Sequence, residues 1–235
     1  LSAMSALSSL RTGIDLAVIA APEKAGWAMS RYSPDIIVKK FNGDNFSPVH
    51  AQKIISLTRD FDAVLIGPGL GTSKNTAAFV HAIVKQITCP LVVDADAIKA
   101  LAGFRFSTPV ILTPHKTEFE IFTGVKFTGV ASVMAAAKKH NCTILLKSQT
   151  DIISDGVHTK QNSTGNSGMT VGGTGDVLAG ICAALLALHN APFRAACAAA
   201  YINGKAGDIL LKKKGYGFIA GDFPSVIPEI IKKFR

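Results

Sequence analysis

The sequence predicts an α/β fold: a three-layer sandwich in which a mostly parallel central β-sheet carries helices on both faces. Short apolar runs alternate with segments of helical period, which is the pattern of strands joined by crossover helices. The last third of the chain is rich in Ala and Leu, which favour helix. At 235 residues the chain has the length of one α/β domain, and no repeat or low-complexity linker divides it. We therefore expect a single domain over residues 1–235.

The elements follow in order along the chain. The apolar runs predict strands at residues 16–20, 35–38, 63–66, 91–93, 110–112 and 143–146. Helical periods predict helices at residues 2–10, 49–57, 76–86, 118–122 and 130–140. A hairpin with strands at 152–153 and 157–160 is joined by the turn signal Ser154-Asp155-Gly156. The segments 177–188 and 193–211 are apolar nearly all round, as buried helices are. A last helix begins at Asp222, with Pro224 in its first turn.

The chain is basic, with 25 Lys and Arg against 16 Asp and Glu, a formal charge of +9, and 48% hydrophobic residues. The apolar content excludes a disordered polyelectrolyte. Most basic clusters lie near predicted helix ends, where cations favour the dipole, and none is interleaved with aromatic residues that could stack on bases. The clusters are Lys39-Lys40, Lys138-Lys139, Lys212-Lys213-Lys214 and Lys232-Lys233. We expect small anionic molecules as partners, and neither nucleic acid nor a membrane, because no segment has the roughly 20 apolar residues of a span.

The cysteines Cys89, Cys142, Cys182 and Cys197 are widely spaced and form no CxxC. This pattern predicts buried thiols in a reducing compartment, and no signal peptide is recognisable. We therefore expect a cytoplasmic protein. The chain opens at Leu1 directly in helix-like sequence, so we expect that residues are missing before it.

The most informative segment runs from Asn162 to Gly180 and contains glycines 165, 168, 172, 173, 175 and 180. A glycine-rich string costs backbone entropy, and placed before a buried helix it indicates a phosphate cradle. Glycines let backbone N–H groups approach oxygens closely, and the positive helix end favours an anion. Asp176 would then lie in the first helical turn. It is either a dipole partner or cap, or, as we favour, a base that accepts a hydroxyl proton during phosphoryl transfer.

Motifs at the ends of successive predicted strands carry a family resemblance. They are Gly67-Pro68-Gly69-Leu70-Gly71, Asp94-Ala95-Asp96-Ala97, Leu112-Thr113-Pro114-His115 with Glu118-Phe119, and the string from Gly173 to Gly180. In order and spacing they resemble the ribokinase-like NAD(P)H-hydrate dehydratases. These nucleotide-dependent repair enzymes return hydrated NADH or NADPH to its active form. The resemblance covers essentially the whole chain, down to residues 222–228.

The resemblance implies a ribokinase-like fold and a two-stage lyase reaction. ADP or ATP, with Mg²⁺, would phosphorylate the C6 hydroxyl of (6S)-NADHX or NADPHX, and phosphate would then be eliminated. Asp176 would be the catalytic base, and the hydrate would contact Gly69, Gly71, His115 and Asp176. The nucleotide would contact Gly173, Thr174 and Gly175, and Lys147, Ser148, Gln149, Thr150 and Asp151. No metal ligand is assigned. Relatives form homo-oligomers, and an epimerase domain or partner is possible beside this one.

Structural alternatives stand beside several of these roles. His115 after Pro114 is also suited to cap a helix, and the glycines at 67, 69 and 71 fit a tight turn that needs positive φ. Asp94 and Asp96 are candidates for helix N-caps as well as for indirect positioning of Mg²⁺ or substrate. Glu118 is placed to stabilise a first helical turn.

The sequence departs from the family pattern at two places. Lys147-Ser148 replaces the usual Lys-Gly, whose residues touch the adenosine part of the nucleotide, and Pro114-His115-Lys116-Thr117-Glu118 replaces Pro-His-Pro-Gly-Glu. Two other functions stay open beside the one that the resemblance implies. The first is a small-molecule kinase of the same fold, acting on a vitamin precursor or sugar hydroxyl. The second is a non-catalytic nucleotide-binding or RNA-binding protein, which would bind polynucleotides with a steep salt dependence.

Overall fold

The computed structural model describes residues 1–234. Its strands are β1 (Val18–Pro22), β2 (Ile37–Phe41), β3 (Val64–Ile66), β4 (Leu91–Val93), β5 (Val110–Leu112), β6 (Thr143–Leu146), β7 (Asp151–Ser154) and β8 (Thr159–Asn162). Its α-helices are α1 (Ser2–Thr12), α2 (Glu23–Ser30), α3 (Ala51–Thr58), α4 (Lys74–Val84), α5 (Asp96–Ala100), α6 (Lys116–Thr123), α7 (Val130–His140), α8 (Thr174–Ala187), α9 (Pro192–Lys214) and α10 (Phe223–Ile231).

The main sheet has six strands in the order β3-β4-β5-β6-β7-β8. Strands β3 to β6 are parallel, and β7 and β8 add an antiparallel hairpin at one edge. The prediction of a mostly parallel sheet is therefore confirmed. Because the carboxyl ends of β3 to β6 meet at one edge, the loops that follow these strands lie side by side.

The central strands are buried on both faces, which explains their continuous apolar sequence. Val92, Ile111 and Leu145 face the helices α8, α9 and α10. In each strand, the residues directly before and after these three along the chain face the helices α3 to α7. The period of two along each strand thus divides the core into two layers, and the predicted three-layer sandwich is confirmed.

Strands β1 and β2 form a separate parallel sheet of two strands. A cavity of about 430 Å³ lies between β1 and β3 and is lined by both strands and by parts of α1, α3, α4 and α8. A small core of Ala3, Ile19, Ala21 and Ile36 holds this second sheet against α1. Sequence patterning alone did not predict this division.

Local chemistry explains where the elements differ from the prediction. The second hairpin strand begins at Thr159 rather than at 157, because the Asp155 carboxylate accepts the N–H groups of Val157 and His158 at 2.9 and 2.6 Å and turns the chain there. Two helices were missed: α2, which contains Gly26, and the five-residue α5, whose N-cap Ala95 has a φ of 50°. The last helix begins after Asp222 with Pro224 in its first turn, as predicted.

Two of the basic clusters lie at the ends of helices, as the helix-end interpretation predicts, whereas Lys39 and Lys40 lie within β2. Lys138 and Lys139 occupy the last turn of α7, and residues 212–214 that of α9. All four cysteines are free, with Cys142 and Cys182 buried and the other two half-buried. No helix within residues 1–234 is long and apolar enough to cross a membrane.

Candidate active site at the carboxyl edge of the sheet

The loop after β3 needs its glycines for conformation. Gly67, Gly69 and Gly71 all have positive φ, at 133°, 72° and 80°, so the tight-turn interpretation describes their geometry. Gly67 also lies so close to the next loop that a Cβ there would stand 1.7 Å from the Asp94 carbonyl oxygen. The Gly71 N–H donates to Asp96 Oδ2 at 3.0 Å, which joins this loop to the start of α5.

Asp94 is an acceptor for two buried or half-buried donors. It is 2% exposed, and its Oδ1 accepts the Thr113 hydroxyl at 2.8 Å and Lys147 Nζ at 2.9 Å. The N-cap position of α5 is Ala95, with no side-chain cap. Of the two alternatives for Asp94 and Asp96, the helix N-cap is therefore not the one that the structure has, and Asp94 instead connects the ends of β4, β5 and β6.

His115 caps α6. Its Nδ1 accepts the Glu118 N–H at 3.3 Å, and Glu118 Oε2 accepts the His115 N–H at 3.0 Å, which is a reciprocal capping box. Because Nδ1 is an acceptor here, the proton of the neutral ring lies on Nε2, 3.5 Å from Glu118 Oε1. Half of the His115 side chain is exposed, so the cap leaves the ring accessible. Both structural alternatives, for His115 and for Glu118, describe the geometry, and contact with a substrate stays a prediction for His115.

The start of α8 is shaped as an anion site. Gly173 occupies the N-cap position with a φ of 101° and no side-chain cap, so the first N–H groups of the helix have no acceptor within it. The Thr174 hydroxyl donates to the Met169 carbonyl at 2.8 Å, which fixes the preceding loop. A Cβ at Gly175 would stand 3.5 Å from Lys147 Nζ. The helix start and the Lys147 ammonium therefore face the same space.

Asp176 lies in this first turn and is 8% exposed. Burial raises the pKa of its carboxyl above the ordinary value, and the negative charge of Asp94 raises it further, while Lys147 lowers it. A buried carboxylate at a helix start, next to a lysine and a second carboxylate, is suited to accept a proton.

The loop from Lys147 to Asp151 is held by a contact within it and by contacts to Pro114 and Asn162. The Lys147 N–H donates to the Pro114 carbonyl at 2.8 Å, which places Lys147 beside His115. Asp151 accepts the Ser148 N–H and the Asn162 amide, each at 3.1 Å, and burial raises its pKa. Ser148, Gln149 and Thr150 are exposed. Five loop residues were predicted to bind nucleotide. Of these, Lys147 extends its side chain to Asp94 and the start of α8. Asp151 instead shapes the turn of the loop.

Not every glycine of the 162–180 segment belongs to the cradle. A Cβ at Gly180 would stand 2.2 Å from the Ser5 carbonyl oxygen, so Gly180 permits the close crossing of α1 and α8. A Cβ at Gly168 would meet the Phe218 ring at 2.7 Å. The interpretation of the whole string as a phosphate cradle is therefore too broad; the geometry supports it at Gly173 and Gly175.

No signal in the sequence indicated the contribution of α1 to the site. Its first turn lies over both glycine loops: the Ser2 hydroxyl donates to the Pro68 carbonyl at 2.9 Å. Leu1 lies 3.6 Å and Met4 3.4 Å from the positions that a Cβ would take at Gly69 and Gly173. An amphipathic helix pattern shows that a face is buried, but it does not show which loop that face covers.

Comparison with known proteins identifies the family. Residues 2–229 match the model of a family described as NAD(P)H-hydrate dehydratase. The chain belongs to this family. It is 42% identical over 236 residues to the bifunctional NAD(P)H-hydrate repair enzyme Nnr of Pyrobaculum aerophilum, covering 97% of this chain and 47% of that protein. It is 35% identical to the ADP-dependent (S)-NAD(P)H-hydrate dehydratase of Cenarchaeum symbiosum, covering 98% of this chain and 83% of that one. The chain thus spans about half the length of the bifunctional relative.

Solved structures share the fold. A ribokinase-like superfamily protein from Enterococcus faecalis superposes with a TM-score of 0.88 at 26% identity, covering 99% of this chain and 82% of that one. The ADP/ATP-dependent NAD(P)H-hydrate dehydratase from Bacillus subtilis does so with a TM-score of 0.83 at 24% identity, covering 100% and 87%. The predicted ribokinase-like fold is therefore confirmed.

Proposed function

We propose that this protein converts (6S)-NADHX or NADPHX to NADH or NADPH, with ADP or ATP as the phosphoryl donor. The observation that carries the proposal is Asp176, a buried carboxylate with a raised pKa in the first turn of α8, beside the Lys147 ammonium. Family membership supplies the substrate class: the relatives' names refer to NAD(P)H-hydrate, and one of them to ADP.

The first stage is phosphoryl transfer to the C6 hydroxyl of the hydrated ring. Asp176 accepts the hydroxyl proton as the oxygen attacks the terminal phosphorus, and the bond from that phosphorus to the bridging oxygen breaks, releasing AMP from ADP or ADP from ATP. The free N–H groups at the start of α8, after Gly173, stabilise the charge that develops on the phosphoryl oxygens. Positioning and electrostatics carry this step, since the protein forms no covalent intermediate in it.

The second stage is elimination. The C6–O bond breaks, phosphate leaves with the bonding electrons, and the C5 proton passes to the departing phosphate or to water, so that the C5=C6 double bond of the dihydropyridine forms. Phosphate is a better leaving group than hydroxide, and it departs from a place where N–H donors already bind it. Gly69, Gly71 and His115 would hold the hydrate across from α8, on the loops after β3 and β5.

We expect Mg²⁺ to arrive with the nucleotide rather than on a metal site built by the protein. Within residues 1–234 there is no group of three His, Cys, Asp or Glu side chains that could hold a metal ion. Mg²⁺ commonly keeps water and phosphate oxygens as ligands rather than a full set of protein groups. When bound, it would neutralise phosphate charge, and no residue of this chain is assigned as its ligand.

The decisive test supplies the purified protein with hydrated NADH and either ADP or ATP and follows the formation of NADH. We expect NADH to form only when a nucleotide is present. No NADH, together with phosphorylation of a hydroxymethylpyrimidine or thiazole alcohol, would establish the small-molecule kinase instead. An epimerase partner, a homo-oligomer and a cytoplasmic location stay predictions, as does the single domain over residues 1–235.

A further inference from the structure

The side chain of Lys147 lies at a point in the site that the sequence of its loop did not indicate. Its side chain is 23% exposed. The Nζ atom lies 2.9 Å from Asp94 Oδ1, 3.9 Å from Glu118 Oε2 and 3.5 Å from where a Cβ would stand at Gly175. The ammonium therefore lies between the sheet edge and the start of α8, on the side of the phosphate cradle.

A positive charge at this point is unfavourable without partners. The start of a helix carries a partial positive charge, and a half-buried ammonium loses hydration. Asp94 compensates both effects, and the Thr113 hydroxyl fixes the same carboxylate oxygen at 2.8 Å. An ammonium has three N–H donors. Asp94 accepts one, and Glu118 is too distant for a hydrogen bond at 3.9 Å.

We propose that Lys147 binds the phosphates of the nucleotide rather than its adenosine part, and that Asp94 is the positioning residue that holds the Lys147 ammonium at the start of α8. The inference rests on the proposed function for the nucleotide's place at α8. An anion there would accept from both the free N–H groups of the helix and the remaining donors of Lys147. Thr113 acts one contact further out, by fixing Asp94.

The test compares two probes that differ only in phosphates, ADP and adenosine. Lys147→Met removes the charge and keeps most of the side chain's bulk. We expect it to weaken ADP binding about 10- to 100-fold, the effect of a lost charge-assisted hydrogen bond, and to change adenosine binding less than about twofold. Lys147→Arg keeps the charge and is expected to restore part of the ADP affinity. Equal weakening of ADP and adenosine by Lys147→Met would overturn the phosphate assignment.

The role of Asp94 is tested by a double-mutant cycle. Asp94→Asn should weaken ADP binding selectively, and Asp94→Asn combined with Lys147→Met should be no worse than Lys147→Met alone. Additive losses would overturn the positioning role. Thr113→Val provides a second route if Asp94→Asn does not fold, because it removes only the hydroxyl on the same oxygen; we expect a smaller loss for ADP and none for adenosine, and equal losses for the two would count against the proposal.

The exposed ion pair between Lys24 and Asp44, at 3.0 Å, provides matched controls. Lys24→Met and Asp44→Asn should leave both affinities unchanged. ADP binding needs no hydrated dinucleotide, so the two proposals fail separately. The selective ADP pattern without NADH formation would remove the proposed reaction and keep the role of Lys147. NADH formation together with equal losses for ADP and adenosine would keep the proposed reaction and remove the role of Lys147.

Discussion

Asp176 joins burial and charge in one side chain, and the combination has opposite effects on catalysis and stability. A base in a desolvated site is stronger than one in water. The same desolvation makes the ionised carboxylate unfavourable in the folded state. The raised pKa expresses both consequences, so variants at this position can separate them.

Replacing Asp176 by Asn should leave ADP binding nearly intact and reduce turnover by about 10²- to 10⁴-fold, because the amide cannot accept the hydroxyl proton. NADH formation and ADP titration measure the two effects. Asp44→Asn, at an exposed position, is the matched control and should retain full activity. Unchanged turnover in Asp176→Asn would exclude Asp176 as the base.

The same variant should be more stable than the wild type at neutral pH. Because the folded pKa of Asp176 is raised above its ordinary value of 3.8, the folded state holds the proton more tightly than the unfolded chain. Stability contributed by the neutral form is complete below pH 3.8 and is lost as the pH rises through the folded pKa. The uncharged amide avoids this loss. Melting temperatures across pH check it, and a lower melting temperature for Asp176→Asn at pH 7 would contradict it.

His115 has two separable features, the Nδ1 cap and a ring that is half exposed. His115→Ala should lower the free energy of unfolding by about 1 kcal/mol through the lost cap and weaken the hydrate more than ADP. Asn is a good N-cap, so His115→Asn should recover the stability but not the hydrate affinity. Denaturant unfolding and the KM for the hydrate measure these. Full recovery of both by Asn would reduce His115 to a structural cap.

At the scale of elements, strand positions were the most predictable feature. Three strands, β4 to β6, match the predicted bounds because continuous apolar runs identify strands that are buried on both faces. Helices α2 and α5 were missed because each is short and begins at an atypical residue, Pro22 or the positive-φ Ala95. For the site, the positions of the motifs at the ends of strands predicted that the loops after β3 to β6 lie together. The ion pair of Asp94 with Lys147 could not be predicted, because it depends on side-chain reach across two neighbouring strands.

The crossing of α1 and α8 depends on Gly180. Gly180→Ala would place a Cβ 2.2 Å from a backbone oxygen that has little freedom to move, and we expect a loss of about 1–3 kcal/mol in the free energy of unfolding. Gly26→Ala in α2 is the matched control, because its Cβ would meet the flexible Lys40 side chain at 2.8 Å. It should stay within about 1 kcal/mol of the wild type. Equal losses in the two variants would show that the contact with Ser5 is not what requires glycine.

At the scale of the whole molecule, the positive charge acquires a specific interpretation. The excess of +9 first raised the question of nucleic acid. Two of its clusters lie in the last turns of α7 and α9, and the lysine that the structure places in the site, Lys147, faces a helix start suited to phosphate. A dinucleotide hydrate and an adenine nucleotide are both polyanions, so a basic molecule attracts both of them.

The two sheets should differ in local stability. Strands β4 and β5 lie inside the two large cores, whereas β1 rests on the small core of Ala3, Ile19, Ala21 and Ile36 and borders the cavity of about 430 Å³, and β2 reaches a large core only at Phe41. Few buried contacts mean a low free energy of local opening. We therefore expect the amides of β1 and β2 to exchange with deuterium well before those of β4 and β5. The amides of β4 and β5 should exchange only when the whole protein unfolds. Hydrogen exchange with mass spectrometry measures this, and equal protection in the two sheets would show that they open as one unit. ADP at the start of α8 should raise protection in its own surroundings and leave β2 unchanged, because β2 belongs to the separate two-stranded sheet and pairs only with β1.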